Sequence, residues 1–122
     1  MAILQHHKRL GSMVKDGMVR QAIVVAINRI RPGTPLTHMQ GKAVLCKAVC
    51  RNVVEIDMYP NRVLLRHPIK KWESVLEGPN TLTAFAHKHG FCDWREIINF
   101  YQAEAGFPTS MGAPLSGWVV VW

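Results

Sequence analysis

Histidines and cysteines are the side chains of this chain whose types and spacing first suggest chemistry. Imidazole nitrogens and thiolates are ligands that zinc prefers. Six of these residues could be considered for one zinc ion: His38, Cys46, Cys50, His87, His89 and Cys92. Their spacing fits neither a Cys-x2-Cys nor a His-x3–5-His pattern, and His87 and His89 would project from different faces of a helix. We therefore expect no metal, and nothing indicates another cofactor.

A cysteine nucleophile is a second possibility. Cys50 or Cys92 would need a positioned histidine and a third group that orients it, and no local signature supplies them. Small core residues are the simpler interpretation of both thiols. Three cysteines cannot all pair within one chain, and this odd, low number fits a reducing compartment. We therefore expect a cytoplasmic protein.

The elements that must position these residues are read from apolar spacing and turn residues. Strands precede helices, and a strand returns at the end. The predicted elements of the first part are a helix over 8–17 ended by Gly17, a strand over 20–30, a turn over 32–35, two strands within 43–58 kinked near Arg51 and Asn52, a turn over 59–62, a short strand over 62–65 and one helical turn over 72–76.

The last third is predicted to hold two helices and a strand. Thr81 or Thr83 can cap the first helix, which runs to about His89. Asp93 caps the second, with Glu96 as its capping-box partner. A continuous apolar run over 119–121 indicates a buried strand. This order of elements predicts an α+β, barrel-like domain.

The composition describes one globular domain. The chain has 122 residues, 48% of them hydrophobic, which is enough for one core. We expect Trp94 and Trp122 in that core, whereas Trp72 could stack on a base, contact a partner or be partly exposed. No segment approaches the ~20 apolar residues of a membrane span, so we expect no membrane partner. The N-terminal basic residues follow the short apolar run, which is not the order of a signal peptide.

Positive charge is concentrated in the first half of the chain. The formal net charge is +7. Residues 1–54 contain nine Lys or Arg and one acid, whereas residues 55–122 contain six Lys or Arg and seven acids. Such an asymmetry is expected when one face meets a polyanion. A solvated basic surface without a ligand is the alternative.

The last third also carries a resemblance to a known family. It reads His-Gly-Phe-Cys-Asp-Trp-Arg-Glu-Ile-Ile-Asn-Phe over 89–100 and ends in Gly-Trp-Val-Val-Val-Trp. This resembles the Gly-Phe-x-(Asp/Ser)-Trp-x-(Glu/Asp)-(Met/Ile)-x-x-Phe segment and the final Gly-x-(Leu/Val)-Ile-x-Trp strand of small phage-type ASCH proteins, relatives of the PUA-like RNA-binding fold. The resemblance implies one α+β domain over residues 1–122, a small, partly open PUA-like β-barrel with flanking helices.

The same resemblance implies a catalytic motif whose residues are replaced here. ASCH proteins carry Gly-x-Lys-x-x-Thr-x-Arg, and residues 17–24 read Gly-Met-Val-Arg-Gln-Ala-Ile-Val. The Lys position is Val19, the Thr position is Ala22, and the position of the downstream acid is His89. In the family these groups act in amide hydrolysis of acetylated cytidine. Valine and alanine can neither attack nor donate a proton, so we predict a non-catalytic protein.

The function that these observations predict is binding of RNA or single-stranded DNA by a phage- or mobile-element-encoded ASCH-like module. The predicted contact residues are Arg20, Gln21, Arg29, Arg31, Lys42, Lys47, Arg51, Lys70 and Lys71. One alternative is a phage inhibitor of a host nuclease or CRISPR effector, an acidic or nucleic-acid-binding host protein that the basic face would meet. Another is a residual nucleoside amidohydrolase or ribonuclease.

Overall fold

The computed structural model describes residues 2–25, 29–107 and 112–122, and in these ranges the chain forms eight strands and three α-helices. The strands are β1 (Ala2–Gln5), β2 (Gln21–Val24), β3 (Pro35–Gln40), β4 (Ala43–Val49), β5 (Asn52–Tyr59), β6 (Arg62–Arg66), β7 (Glu73–Glu77) and β8 (Leu115–Val121). The helices are α1 (Gly11–Lys15), α2 (Pro79–Lys88) and α3 (Trp94–Ala105), and a 3-10 turn over Lys8–Leu10 precedes α1.

The strands form two sheets. The large sheet has the order β2-β8-β5-β6-β7 and is antiparallel throughout, whereas the small sheet has the order β1-β3-β4 with β1 and β3 parallel. The chain changes sheets at Cys50, whose N–H donates to Thr34 O, and at Arg51, whose N–H donates to Val121 O. Among the described residues the two sheets do not close into a barrel, so the α+β prediction is confirmed and the predicted small, partly open β-barrel is not.

Each face of the large sheet has its own core. The helices α2 and α3 cover one face, where Ile56, Val63 and Ile97 are buried. The small sheet and α1 cover part of the other face, where Leu36 and Trp122 are buried. Strand β8 serves both cores because successive side chains of a strand alternate between its faces. The prediction of a buried final strand is confirmed.

Three other predictions are confirmed in detail. Gly17 follows α1 with φ of +77°, a left-handed conformation that suits glycine at a helix end. Asp93 caps α3, since its Oδ1 accepts from the N–H of Glu96 at 2.8 Å. Trp122 is buried, and Trp94 packs against the core while its Nε1 donates to Pro60 O at 2.8 Å.

Other predictions differ from the structure. The helical turn expected over 72–76 is instead strand β7. Leu76 pairs with Val63 of β6, and Ser74 pairs with Leu65. This pairing decides the local structure. Helix α2 begins at Pro79, not at a threonine cap, because proline suits the first helical turn. The strand expected over 20–30 spans only Gln21–Val24, and residues 26–28 lie outside the described ranges. Strands β1 and β3 were not predicted.

Candidate nucleic-acid interface

Two similar dipeptides, Arg20-Gln21 and Arg51-Asn52, flank the end of strand β8. Gln21 of β2 and Asn52 of β5 both pair with Val121 of β8, from opposite sides. The preceding residues extend this symmetry, since Trp122 N–H donates to Arg20 O and Arg51 N–H donates to Val121 O. Both flanking strands are antiparallel to β8, so the two amide side chains share one face of the sheet and the two arginines share the other.

A groove opens where the two amides face helix α2. Its volume is about 370 Å³, and its floor and walls are mainly apolar, including Val119 and Phe85. Gln21 and Asn52 supply polar atoms on the sheet side, and Lys88 lies at the end of α2. Trp72, with 39% of its surface exposed, forms another part of the wall. A mainly apolar cleft with few convergent polar groups and one accessible aromatic suits a flat heterocyclic ring.

The loop between β6 and β7 holds Trp72 beside Asn52. His67 N–H donates to Trp72 O at 2.9 Å, and Lys71 N–H donates to His67 O at 3.0 Å. His67 itself is buried, and its Nε2 lies 3.0 Å from Asn52 Oδ1. Lys71 has φ of +59° and is the one non-glycine residue of the described ranges in this left-handed region. Such backbone strain persists where neighbouring structure fixes the residue, often at functional sites.

Positive charge surrounds this end of the large sheet. Arg31 lines a second hollow of about 310 Å³ together with Asn52 and His67. Lys70 and Lys71 belong to the β6–β7 loop, and Lys88 lines the groove. Of the nearby acids, Glu55 and Asp57 share one partner, Arg66, at 3.5 and 2.9 Å, and Glu73 lines a hollow with Lys71. The groove is therefore bordered by side chains that can hold phosphates.

The structure brings together most of the residues predicted from sequence, but not all of them. Six lie at this end of the large sheet: Arg20, Gln21, Arg31, Arg51, Lys70 and Lys71. Lys42 lies in the turn between β3 and β4 and is separated from Arg51 by the length of β4, roughly 25 Å. Lys47 is exposed on β4, away from the groove. Arg29 is exposed, and no described contact joins it to the groove.

A second cavity lies on the other side of Gln21. It has a volume of about 170 Å³, and the three positions matched to the family motif, Val19, Ala22 and His89, all line it. Gln21 Nε2 and His89 Nε2 are 2.8 Å apart. Because an amide nitrogen only donates, His89 Nε2 accepts and the ring proton lies on Nδ1. No residue at these three positions offers a nucleophile or an acid.

Buried rings in and behind this cavity are held neutral. Burial lowers the pKa of His89 to about 3, and the neighbouring Lys88 charge acts in the same direction. Burial, with a smaller contribution from His38, lowers the pKa of His6 to about 4, and burial also lowers the pKa of His38. His6 Nε2 lies 2.8 Å from His38 Nδ1, and the His38 ring packs on Trp122. Burial, assisted by Glu104, raises the pKa of Tyr101.

Sequence reasoning missed Asn52, His67 and Lys88. A signal for Asn52 was present: Arg51-Asn52 opens an apolar strand as Arg20-Gln21 opens another. His67 and Lys88 carry no such signal, because only the fold of the β6–β7 loop and the end of α2 places them at the groove. His89, considered above as a zinc ligand, is buried between Phe85 and Gln21.

In residues 2–25, 29–107 and 112–122 no three His, Cys, Asp or Glu side chains are placed to share a metal ion. The three cysteines are free thiols. No helix of the described ranges has the length and apolar character needed to cross a bilayer. Comparison of the chain with models of protein families, with curated proteins and with solved structures finds no match.

Proposed function

We propose that this protein binds single-stranded nucleic acid without catalysis, holding one base in the groove between α2 and the large sheet. The observation that carries this proposal is the convergence of Trp72, Asn52 and Lys88 on one open groove. A base can stack on the tryptophan and meet the amide, while cations around the rim contact neighbouring phosphates. A PUA-like, ASCH-type origin is part of the same proposal, and it is supported by the motif-matched residues Val19, Ala22 and His89 that share one cavity.

Single strands are favoured over duplexes by the shape of the site. A base inside a duplex is stacked and paired, so it can enter a lateral groove only after unstacking, which costs a few kcal/mol. An unpaired base requires no such step. RNA and single-stranded DNA offer the same bases and phosphates, so both are suitable ligands and the test includes both.

Binding should be measured by fluorescence anisotropy with labelled oligonucleotides of about twelve nucleotides, in RNA, single-stranded DNA and duplex form. We expect the single strands to bind more tightly than the duplex. Affinity should fall steeply from about 50 to about 200 mM salt, because each phosphate contact adds roughly 0.7 to the logarithmic salt slope for a single strand.

A matched pair of double charge reversals locates the interface. Lys71→Glu with Lys88→Glu changes two cations beside the groove, and we expect it to weaken binding and lower the salt slope by roughly 0.7 for each lost contact. Lys42→Glu with Arg95→Glu makes the same change in net charge at exposed residues elsewhere. Arg95 adjoins Trp94, which bonds to the β5–β6 turn at the opposite end of the large sheet.

Two results would overturn the proposal. Equal losses from both double variants would mean that only the net charge of the protein matters. Absence of binding to every oligonucleotide at low salt would mean that the basic groove end meets another polyanion, such as an acidic host protein. A pull-down from nuclease-treated lysate, compared between the two double variants, would then identify that partner.

A further inference from the structure

The side-chain amide of Asn52 is held in one orientation by its neighbours. His67 Nδ1 accepts from the N–H groups of Ile69 at 3.2 Å and Lys70 at 3.0 Å, so the ring proton of His67 lies on Nε2. Nε2 therefore donates to Asn52 Oδ1 at 3.0 Å. The N–H of Val53 donates to the same oxygen at 3.0 Å. An amide oxygen has two lone pairs, and both are used.

The nitrogen of the same amide is free to meet a ligand. Asn52 Nδ2 has no hydrogen-bond partner in the described part of the chain, and the half-buried side chain lies where two hollows meet. Gln21, the other amide at the groove, uses its nitrogen on His89 at 2.8 Å. Asn52 therefore presents two N–H donors in a fixed direction and no acceptor.

We propose that Asn52 is a donor-only reader that selects bases bearing a ring carbonyl over adenine. The inference rests on the proposed function, in which the groove holds a base. Asparagine usually reads adenine with both amide atoms, its oxygen accepting from N6 and its nitrogen donating to N7. Asn52 cannot form this pair because Val53 and His67 occupy its oxygen. One N–H can still donate to adenine N7, but the adenine N6 amino group then faces a second donor and no acceptor, and an unpaired donor costs free energy. The carbonyl oxygens of thymine, uracil and cytosine accept hydrogen bonds, and the fixed N–H groups can meet them.

The wild-type protein provides the first test. Oligonucleotides of about twelve thymidines, cytidines or adenosines should be compared at one salt concentration, so that phosphate contacts are the same in all three. We expect thymidine and cytidine strands to bind about fivefold or more tightly than the adenosine strand, the ratio that one net hydrogen bond produces. A wild-type preference for adenosine, or equal affinity for all three, would overturn the inference.

The second test reverses the chemistry of the side chain. Asn52→Asp keeps an oxygen for His67 and Val53 but replaces the free donors by an acceptor, so it should lower the ratio of thymidine to adenosine affinity by about tenfold. Asn61→Asp is the matched control, because Asn61 is an exposed asparagine in the turn that follows the other end of β5. It adds the same negative charge and should leave the ratio unchanged.

The outcomes separate this inference from the proposed function. If Asn52→Asp does not fold, Asn52→Ala should still bring the thymidine-to-adenosine ratio towards one. An unchanged ratio in whichever variant folds would overturn the donor-only assignment while single-strand binding still stands. Loss of binding to every strand by the wild-type protein would overturn both.

Discussion

The two cavities that meet at Gln21 both contain polar side chains, but these are bonded to each other in one cavity and open to a ligand in the other. In the smaller cavity, which we call the histidine cavity, His89 bonds to Gln21, and Val19 and Ala22 supply no reactive group. In the larger groove the nitrogen of Asn52 and the face of Trp72 are open to a ligand. Buried polar groups that bond to each other hold a fold together, whereas oriented but unpaired groups at an open surface are available for recognition.

Substitutions in the two cavities should therefore have different effects. Side chains of the histidine cavity and the rings behind it should control the free energy of unfolding. Side chains of the groove should control affinity for a ligand and leave the fold intact.

The largest effect should come from acid. His6 and His89 have folded-state pKa values of about 4 and about 3, against an ordinary value of 6.5, and that of His38 is also lowered. Below pH 6.5 these histidines become protonated in the unfolded chain but remain neutral in the folded protein. Their contribution to the free energy of unfolding is therefore fully present above that pH and is lost as the pH is lowered. We expect a loss on the order of 5 kcal/mol between about pH 7 and pH 4.5 in urea titrations.

A matched pair of variants tests the source of this loss. His89→Asn removes one buried ring and should reduce the slope of stability against pH by about one proton below pH 6. His87→Asn removes an exposed histidine near the end of α2, and we expect the larger reduction in His89→Asn because His89 is buried. Equal slopes in the two variants would show that the buried rings do not cause the acid sensitivity.

The next effect concerns the ring on which His38 packs. Trp122 is buried in the core between the two sheets, with its ring 4.2 Å from that of His38. We expect Trp122→Ala to lower the free energy of unfolding by about 3–5 kcal/mol, measured by chemical denaturation. A variant that unfolds at the same denaturant concentration as the parent would mean that the last strand is not central to the fold.

Substitution of Trp72 should affect binding more than stability. Its side chain is 39% exposed at the groove, so Trp72→Ala should cost less stability than Trp122→Ala. Binding of single strands should nevertheless weaken by about 1–3 kcal/mol, because a base loses its stacking surface. Trp72→Phe should restore part of that affinity. Unchanged affinity in Trp72→Ala would remove the tryptophan from the interface.

For hydrolysis of acetylcytidine we expect no effect of the protein at all. The family resemblance implies amide hydrolysis of acetylated cytidine, but Val19, Ala22 and the neutral, buried His89 stand at the matched positions. These groups supply no nucleophile and no carboxylate. Purified protein should release no acetate from acetylcytidine above background. Robust release would falsify the non-catalytic interpretation and give the histidine cavity an active role.

Local sequence signals predicted those parts of the fold that depend on local chemistry. Asp93 followed by Glu96, and Gly17 after an apolar helix, mark helix ends through interactions within a few residues. Strand β7 was misread because its pairing with β6, and not its own composition, determines it. Strand β1 was missed for the same reason, since its four residues gain a defined structure only beside β3.

The candidate site shows the same limit. Charge asymmetry predicted Arg20, Arg31 and Arg51 as contacts, and the short basic run Lys70-Lys71 predicted that pair. The structure places them at one end of the large sheet. The same argument included Lys42 and Lys47, because charge alone does not say which residues share a surface. The orientation of Asn52 depends on a histidine fifteen residues away and on two loop amides. Such long-range hydrogen bonding has no pattern in the sequence.

Strand β7 has a consequence for self-association. It forms one edge of the large sheet, begins at Glu73 and ends at Glu77, and leaves Val75 half exposed between them. A second copy pairing antiparallel about Val75 would set Glu73 of each molecule opposite Glu77 of the other, and directly opposed like charges destabilise a strand pair. The two glutamates should therefore disfavour edge-to-edge pairing of two copies through β7.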